Sequence, residues 1–172
     1  MKYLIDTHVL LWAIMESYKL PEKILKLLED ESNTIFVSPI SYWEIAIKHQ
    51  NKKINLGKLN VLHIPHIAEQ FNFSILNPEP YDYISLGQIP QKENHHDPFD
   101  RMLIQQAIRN DLVLISNNAK FPQYEENGLQ LLNESVYQFN LQQFLPWTRQ
   151  MAEFSGDNHQ AFIFQPVANT ET

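Results

Sequence analysis

His95-His96-Asp97-Pro98-Phe99-Asp100-Arg101-Met102-Leu103-Ile104-Gln105-Gln106-Ala107 reads as the start of a helix. Asp97 is a capping residue type, and Pro98 suits the first helical position, where no amide hydrogen is needed. Asp100 stands three residues past the cap. Leu103, Ile104 and Ala107 follow it at i+3, i+4 and i+7, so this acid heads an apolar face and is expected to point inward, at the mouth of the core. The alternative is that Asp100 only completes a capping box and favours the helix dipole. Acids in similarly odd places elsewhere weigh toward the first reading.

Working outward, Tyr3-Leu4-Ile5 is a short apolar strand ending at Asp6, and His8 to Met15 is a helix apolar nearly all round, hence well buried. Helices are expected from Pro21 to Asp30, from Ser38-Pro39 to Gln50, from Val61 to Phe71 with Pro65 breaking or delaying it, and from Tyr81 to Gly87. Strands are expected at Thr34–Val37, at Phe73–Leu76 (weakly), at Leu112–Ile115 and at Leu129–Leu132. Strands alternating with helices predict an α/β domain with a mostly parallel sheet covered on both faces. Ligands of such sheets sit outside the carboxyl ends of the strands, where Asp6 and Ser116-Asn117-Asn118 fall.

Composition narrows the functions. A formal charge of −7 argues against broad electrostatic capture of nucleic acid, though not against a local basic strip. There is no cysteine, so disulfide and thiolate chemistry are excluded. No apolar run reaches membrane-spanning length, and Met1-Lys2-Tyr3-Leu4-Ile5 runs directly into polar Asp6-Thr7-His8, unlike a secretion signal. A cytoplasmic protein is expected. Only four glycines are present and no glycine-rich phosphate loop, so a nucleotide-fold function has no support.

In Ile40-Ser41-Tyr42-Trp43-Glu44-Ile45-Ala46-Ile47-Lys48, the residues Ile40, Trp43 and Ile47 mark one helical face, and Glu44 at i+4 belongs to it. An unpaired carboxylate there would cost several kcal/mol or shift its pKa to become neutral. A bound cation removes that penalty. The competing reading is a Glu44–Lys48 pair on a solvated face, worth about 0.3–0.5 kcal/mol. For Asp6 the competing reading is a helix cap. Separated acids at strand ends and on inward faces form a hard-oxygen set suited to Mg²⁺ or Mn²⁺, which polarise a phosphodiester and activate a water.

Asp6-Thr7-His8-Val9-Leu10-Leu11-Trp12, Trp43-Glu44-Ile45-Ala46-Ile47-Lys48 and His96-Asp97-Pro98-Phe99-Asp100-Arg101 resemble PIN-domain ribonucleases, most nearly the VapC-type toxins of bacterial toxin–antitoxin pairs. The resemblance spans roughly residues 2 to 132. It implies a three-layer α/β/α sandwich on a parallel sheet, Mg²⁺- or Mn²⁺-dependent cleavage of RNA, a homodimer, and a cognate antitoxin as partner. It places Asp6, Glu44 and Asp100 in the metal site, with Asp97 close enough to assist. Thr7 and Ser116 match small hydroxyl positions that orient ligands or water. The departure comes after the last good strand. The family shows an acid there, whereas this chain has Ser116-Asn117-Asn118, so the fourth position falls to neutral Asn118, with Asn117 beside it. A catalytically weak PIN-fold module that binds RNA or protein is the alternative function.

Lys48, Lys52, Lys53 and Lys58 occupy a span without acids, a candidate strip for an RNA backbone, with Arg101 nearer the metal. His63 with His66 and His95 with His96 are the candidate zinc pairs, poorly supported without cysteine. Trp12 and Trp43 are expected in the core. Residues 1–132 are expected to form the nuclease-like domain. Residues 133–172 then form an extension: a helix from Val136 to Leu145, an apolar segment Ala161–Phe164, and a disordered end from Ala168.

Overall fold

A computed structural model describes residues 1–92 and 94–133, and the readings made for the extension lie outside the described residues. Among the described residues there are five strands: β1 (Lys2–Ile5), β2 (Thr34–Val37), β3 (Ser74–Ile75), β4 (Val113–Ile115) and β5 (Gln130–Leu132). They form one sheet in the order β3-β2-β1-β4-β5, and every neighbouring pair is parallel. Central β1 places Leu4 opposite both Phe36 and Leu114. Leu4 and Ile5 are fully buried, as a strand covered on both faces requires.

The helices flanking the sheet are α1 (Thr7–Met15), α2 (Glu22–Glu29), α3 (Pro39–Gln50), α4 (Ile64–Gln70), α5 (Pro80–Ile84) and α6 (Pro98–Arg109). The expected helix from Val61 starts as a 3-10 turn, Val61–His63, and becomes regular only at Ile64, which sets Pro65 in the first turn, where its missing N–H leaves no bond unmade. In α6 the apolar face following Asp100 is fully enclosed: Leu103, Ile104 and Ala107 pack with Leu4, Leu112, Leu114, Phe121 and Tyr124 in one core cluster. That packing fixes the rotation of α6 and therefore the direction in which its first turn points.

The sheet order steps away from β1 in both directions, to β2 on one side and β4 on the other. The crevice of such a fold opens at the carboxyl ends of these two branches. Asp6 ends β1, and Ser116 ends β4.

Candidate active site

Asp6 leaves β1 with its N–H donating to the Ile115 carbonyl (3.0 Å), which continues the β1–β4 ladder by one residue. Its side chain caps α1, accepting from the His8 N–H at 3.3 Å, so the capping reading of Asp6 is part of its geometry. The other carboxylate oxygen accepts from the Ser116 hydroxyl at 2.5 Å. The next residue reaches the opposite way: the Thr7 hydroxyl donates to Glu44 Oε2 at 2.5 Å. Two consecutive residues thus tie β4 on one side of the crevice to α3 on the other.

Glu44 is 2% exposed and also pairs with the Lys48 ammonium one turn along α3. The pair proposed from spacing exists, but its carboxylate lies in the interior rather than on a solvated face. The buried stripe of α3 is Ile40, Ser41, Glu44 and Ile45, rotated from the expected Ile40-Trp43-Ile47 stripe. A buried serine carries no hydropathy signal, and a tryptophan carries a strong one, which is why the pattern misplaced the face. Trp43 is 58% exposed, contrary to its expected place in the core.

Asp100 does not close a capping box. Asp97 alone caps α6, accepting from the N–H groups of Phe99 (2.9 Å) and Asp100 (3.4 Å). The Asp100 carboxylate turns instead toward His95 Nε2 (2.8 Å) and the Asn118 amide nitrogen (2.9 Å). A carboxylate only accepts, so His95 donates from Nε2, and its Nδ1 accepts a hydrogen bond from the Tyr124 hydroxyl at 2.9 Å. The Asn118 orientation is fixed from both sides, because its Oδ1 accepts from the Lys120 N–H at 3.0 Å. Its backbone N–H in turn donates to Ser116 Oγ at 3.0 Å. Asp6, Ser116, Asn118, Asp100, His95 and Tyr124 therefore form one continuous hydrogen-bonded chain.

The electrostatics are one-sided. Burial pushes the Asp100 carboxyl above the usual range, His95 opposes this, and the charges of Asp6 and Asp97 push the same way as burial. The hydrogen bond to Asp6 raises His8. Burial lowers Lys48, but Glu44 outweighs it with help from Asp97 and Asp100, and the net direction is upward. Three carboxylates thus act on one ammonium. Each of the three inward acids already accepts from an internal donor. Among the described residues, no three His, Cys, Asp or Glu side chains converge closely enough to hold an ion as they stand.

Several expectations land elsewhere. The Arg101 guanidinium donates to the carbonyls of Leu86, Ile89 and Pro90 and so holds the preceding loop rather than turning toward the acids. Asn118 offers its nitrogen to the acids, and its oxygen closes a turn, so the amide oxygen is not placed as a metal ligand. Asn117 lines a small apolar pocket with Val9, Trp12, Leu20 and Ile24. Lys52 and Lys53 are exposed just past the end of α3, roughly 12 Å from Glu44 along the helix axis. His95 bonds to Asp100 and Tyr124 and His96 to Gln91, so they do not act as a zinc pair. The role of His95 as the partner of Asp100 went unread, although it lies only five residues upstream. Tyr124 carries no local signal at all.

An all-parallel sheet with acids crowded at its branch point defines a class: an α/β protein with an anionic crevice at the carboxyl ends of its central strands. The chain belongs to the PIN domain family, whose model matches residues 3–127 and whose members are generally nucleases. The fold is similar to that in the crystal structure of VapBC2 from Rickettsia felis bound to a promoter DNA fragment (23% identity, TM-score 0.59, 77% of this chain and 98% of that one). It is also similar to DNA-bound VapBC from Salmonella typhimurium (21% identity, TM-score 0.56, 77% and 98% covered). A third similar structure is VapBC-1 from nontypeable Haemophilus influenzae (18% identity, TM-score 0.56, 77% and 98% covered). No curated protein matches the chain. Among the described residues, no helix is long and apolar enough to cross a membrane.

Proposed function

We propose that this protein is a metal-dependent endoribonuclease of the VapC type, the toxin of a toxin–antitoxin pair acting in the cytoplasm. The observation that carries the reading is the crowding of carboxylates at the branch point: Asp6 and Asp97 both act on Asp100, while Lys48 pairs with Glu44 and His8 lies beside Asp6. The donor set is oxygen throughout, which fits Mg²⁺ or Mn²⁺ rather than a softer ion. Asp6, Glu44 and Asp100 would hold the ion. When bound, it would polarise the scissile phosphate and lower the pKa of the attacking water. The chain's own residues do the rest. Ser116 and Thr7 orient the Asp6 and Glu44 carboxylates. His95 and Asn118 aim Asp100. Lys48 holds the place of a cation beside Glu44 and keeps the acids folded inward. The VapBC neighbours support a cognate antitoxin as partner, and a homodimer is proposed as the assembly from the family resemblance alone.

Purified protein is expected to cleave RNA with Mn²⁺ or Mg²⁺ and to stop with a chelator. Asp6→Asn should lower cleavage by more than about 100-fold, beyond the 10–100-fold typical of losing a residue that only supports a ligand. Undiminished cleavage in that variant refutes the site. A second reading, a PIN-fold binding module without useful catalysis, is favoured by Asn118 presenting an amide where an acid would complete the set. Growth arrest on expression without the antitoxin, dependent on Asp6, separates the two.

A further inference from the structure

Trp43 immediately precedes Glu44 in α3, and Phe99 immediately precedes Asp100 in α6. The two rings meet across the helices with centroids 5.0 Å apart and planes at 74°, an edge-to-face contact. Phe99 is half-buried, while Trp43 keeps 58% of its surface in solvent. The largest side chain type therefore stands open to water, held in one orientation by its neighbour, one residue from two acids of the site.

The charge around it limits what it binds. The chain carries −7, Lys48 is paired with Glu44, and Arg101 is bonded to backbone carbonyls. Near the acids there is little free positive charge to draw a phosphate backbone. Stacking of a base on an aromatic ring needs no charge and tolerates any base, because every base has a π-face. It also requires that the base be unpaired.

We infer that Trp43, braced by Phe99, is a stacking platform for an unpaired base of the RNA substrate, one that flanks the phosphate held at the acids. This rests on the nuclease reading and adds to it a base-stacking subsite.

The test uses the full chain and a fluorescein-labelled, unstructured oligoribonucleotide, with Kd from anisotropy in chelator and KM and kcat from cleavage in Mn²⁺. Trp43→Ala is expected to raise Kd and KM roughly tenfold or more while kcat changes by less than about twofold. Trp43→Phe should keep Kd within about threefold of the parent. A series of substrates each lacking one base should show one position where base removal weakens the parent by a similar factor, with no further loss in Trp43→Ala. Unchanged Kd in Trp43→Ala overturns the inference. So does a loss that falls equally on every abasic substrate, or unchanged RNA binding with lost capture of the antitoxin, which would make the ring a protein contact. Metal-dependent cleavage with unaltered KM in Trp43→Ala removes this inference alone, and absence of both RNA binding and cleavage removes the nuclease reading with it.

Discussion

The two ends of α6 hold inward-facing acids in opposite ways. At the C-terminal end, Asp82 is 1% exposed and accepts from the Arg109 guanidinium at 2.8 Å and from the Glu79 N–H at 2.7 Å. Its one charge meets one opposite charge, and Glu79 on the surface shares the same arginine. At the N-terminal end, Asp100 lies among Asp6 and Asp97, with only hydrogen-bond donors for company and Lys48 at a distance. Both acids are satisfied in the hydrogen-bonding sense. Only Asp82 is satisfied in the Coulombic sense. A buried carboxylate that has donors but lacks a counter-charge is raised in pKa and waits for a cation, whereas one with its counter-charge is complete.

Substitutions can break this contrast or sharpen it. The largest effect on folding should come from the balanced end. Asp82→Ala removes charge-assisted hydrogen bonds worth about 2 kcal/mol. That is a fall of roughly 4–8 °C in melting temperature for a chain of this size, with cleavage per folded molecule unchanged. Calorimetry with an active-fraction measurement checks it, and a loss of cleavage without a loss of stability would dissolve the distinction.

At the crowded end the signs differ. Asn118→Asp puts another carboxylate where the amide now donates to Asp100 at 2.9 Å. The variant should melt about 2–4 °C lower in chelator. It should recover in Mn²⁺ and bind Mn²⁺ more tightly in calorimetric titration, because the added charge offsets the dication.

The smallest effect is a gain. Asp100 is raised on folding, so its contribution to stability is complete below the ordinary carboxylate range and is lost as pH rises from there through its raised pKa. Asp100→Asn keeps the shape without the charge. It should melt about 2 °C higher than the parent near neutral pH in chelator, with the difference closing as pH falls into the carboxylate range. A variant that melts lower at neutral pH would place Asp100 with Asp82 as a structural acid.

Much of this was legible in the sequence. The Asp97-Pro98 start, the enclosed face after Asp100 and the alternation of strands with helices follow from period and turn chemistry, which are local. Glu44 was legible as buried although its face was displaced by a turn fraction, because Ile40 and Ile45 flank it whichever way the stripe is drawn. The partners were not legible. Thr7 meets Glu44 across 37 residues and Ser116 meets Asp6 across 110, separations that only the sheet order brings together. Arg101 stands beside an acid in sequence, yet its reach carries it back to a loop, a contact that only the fold reveals. Trp43 shows that a large apolar residue in a helical pattern is not thereby inside.

Tyr124 is wholly buried in the core cluster, and its hydroxyl touches His95, which touches Asp100. The phenolic proton between those two rings is sealed from bulk water, so it leaves only when the core itself opens. Such a proton exchanges slowly and stands apart at low field in a proton magnetic resonance spectrum. It serves as an internal reporter: one line whose position follows what happens at Asp100 and whose disappearance times the opening of the domain.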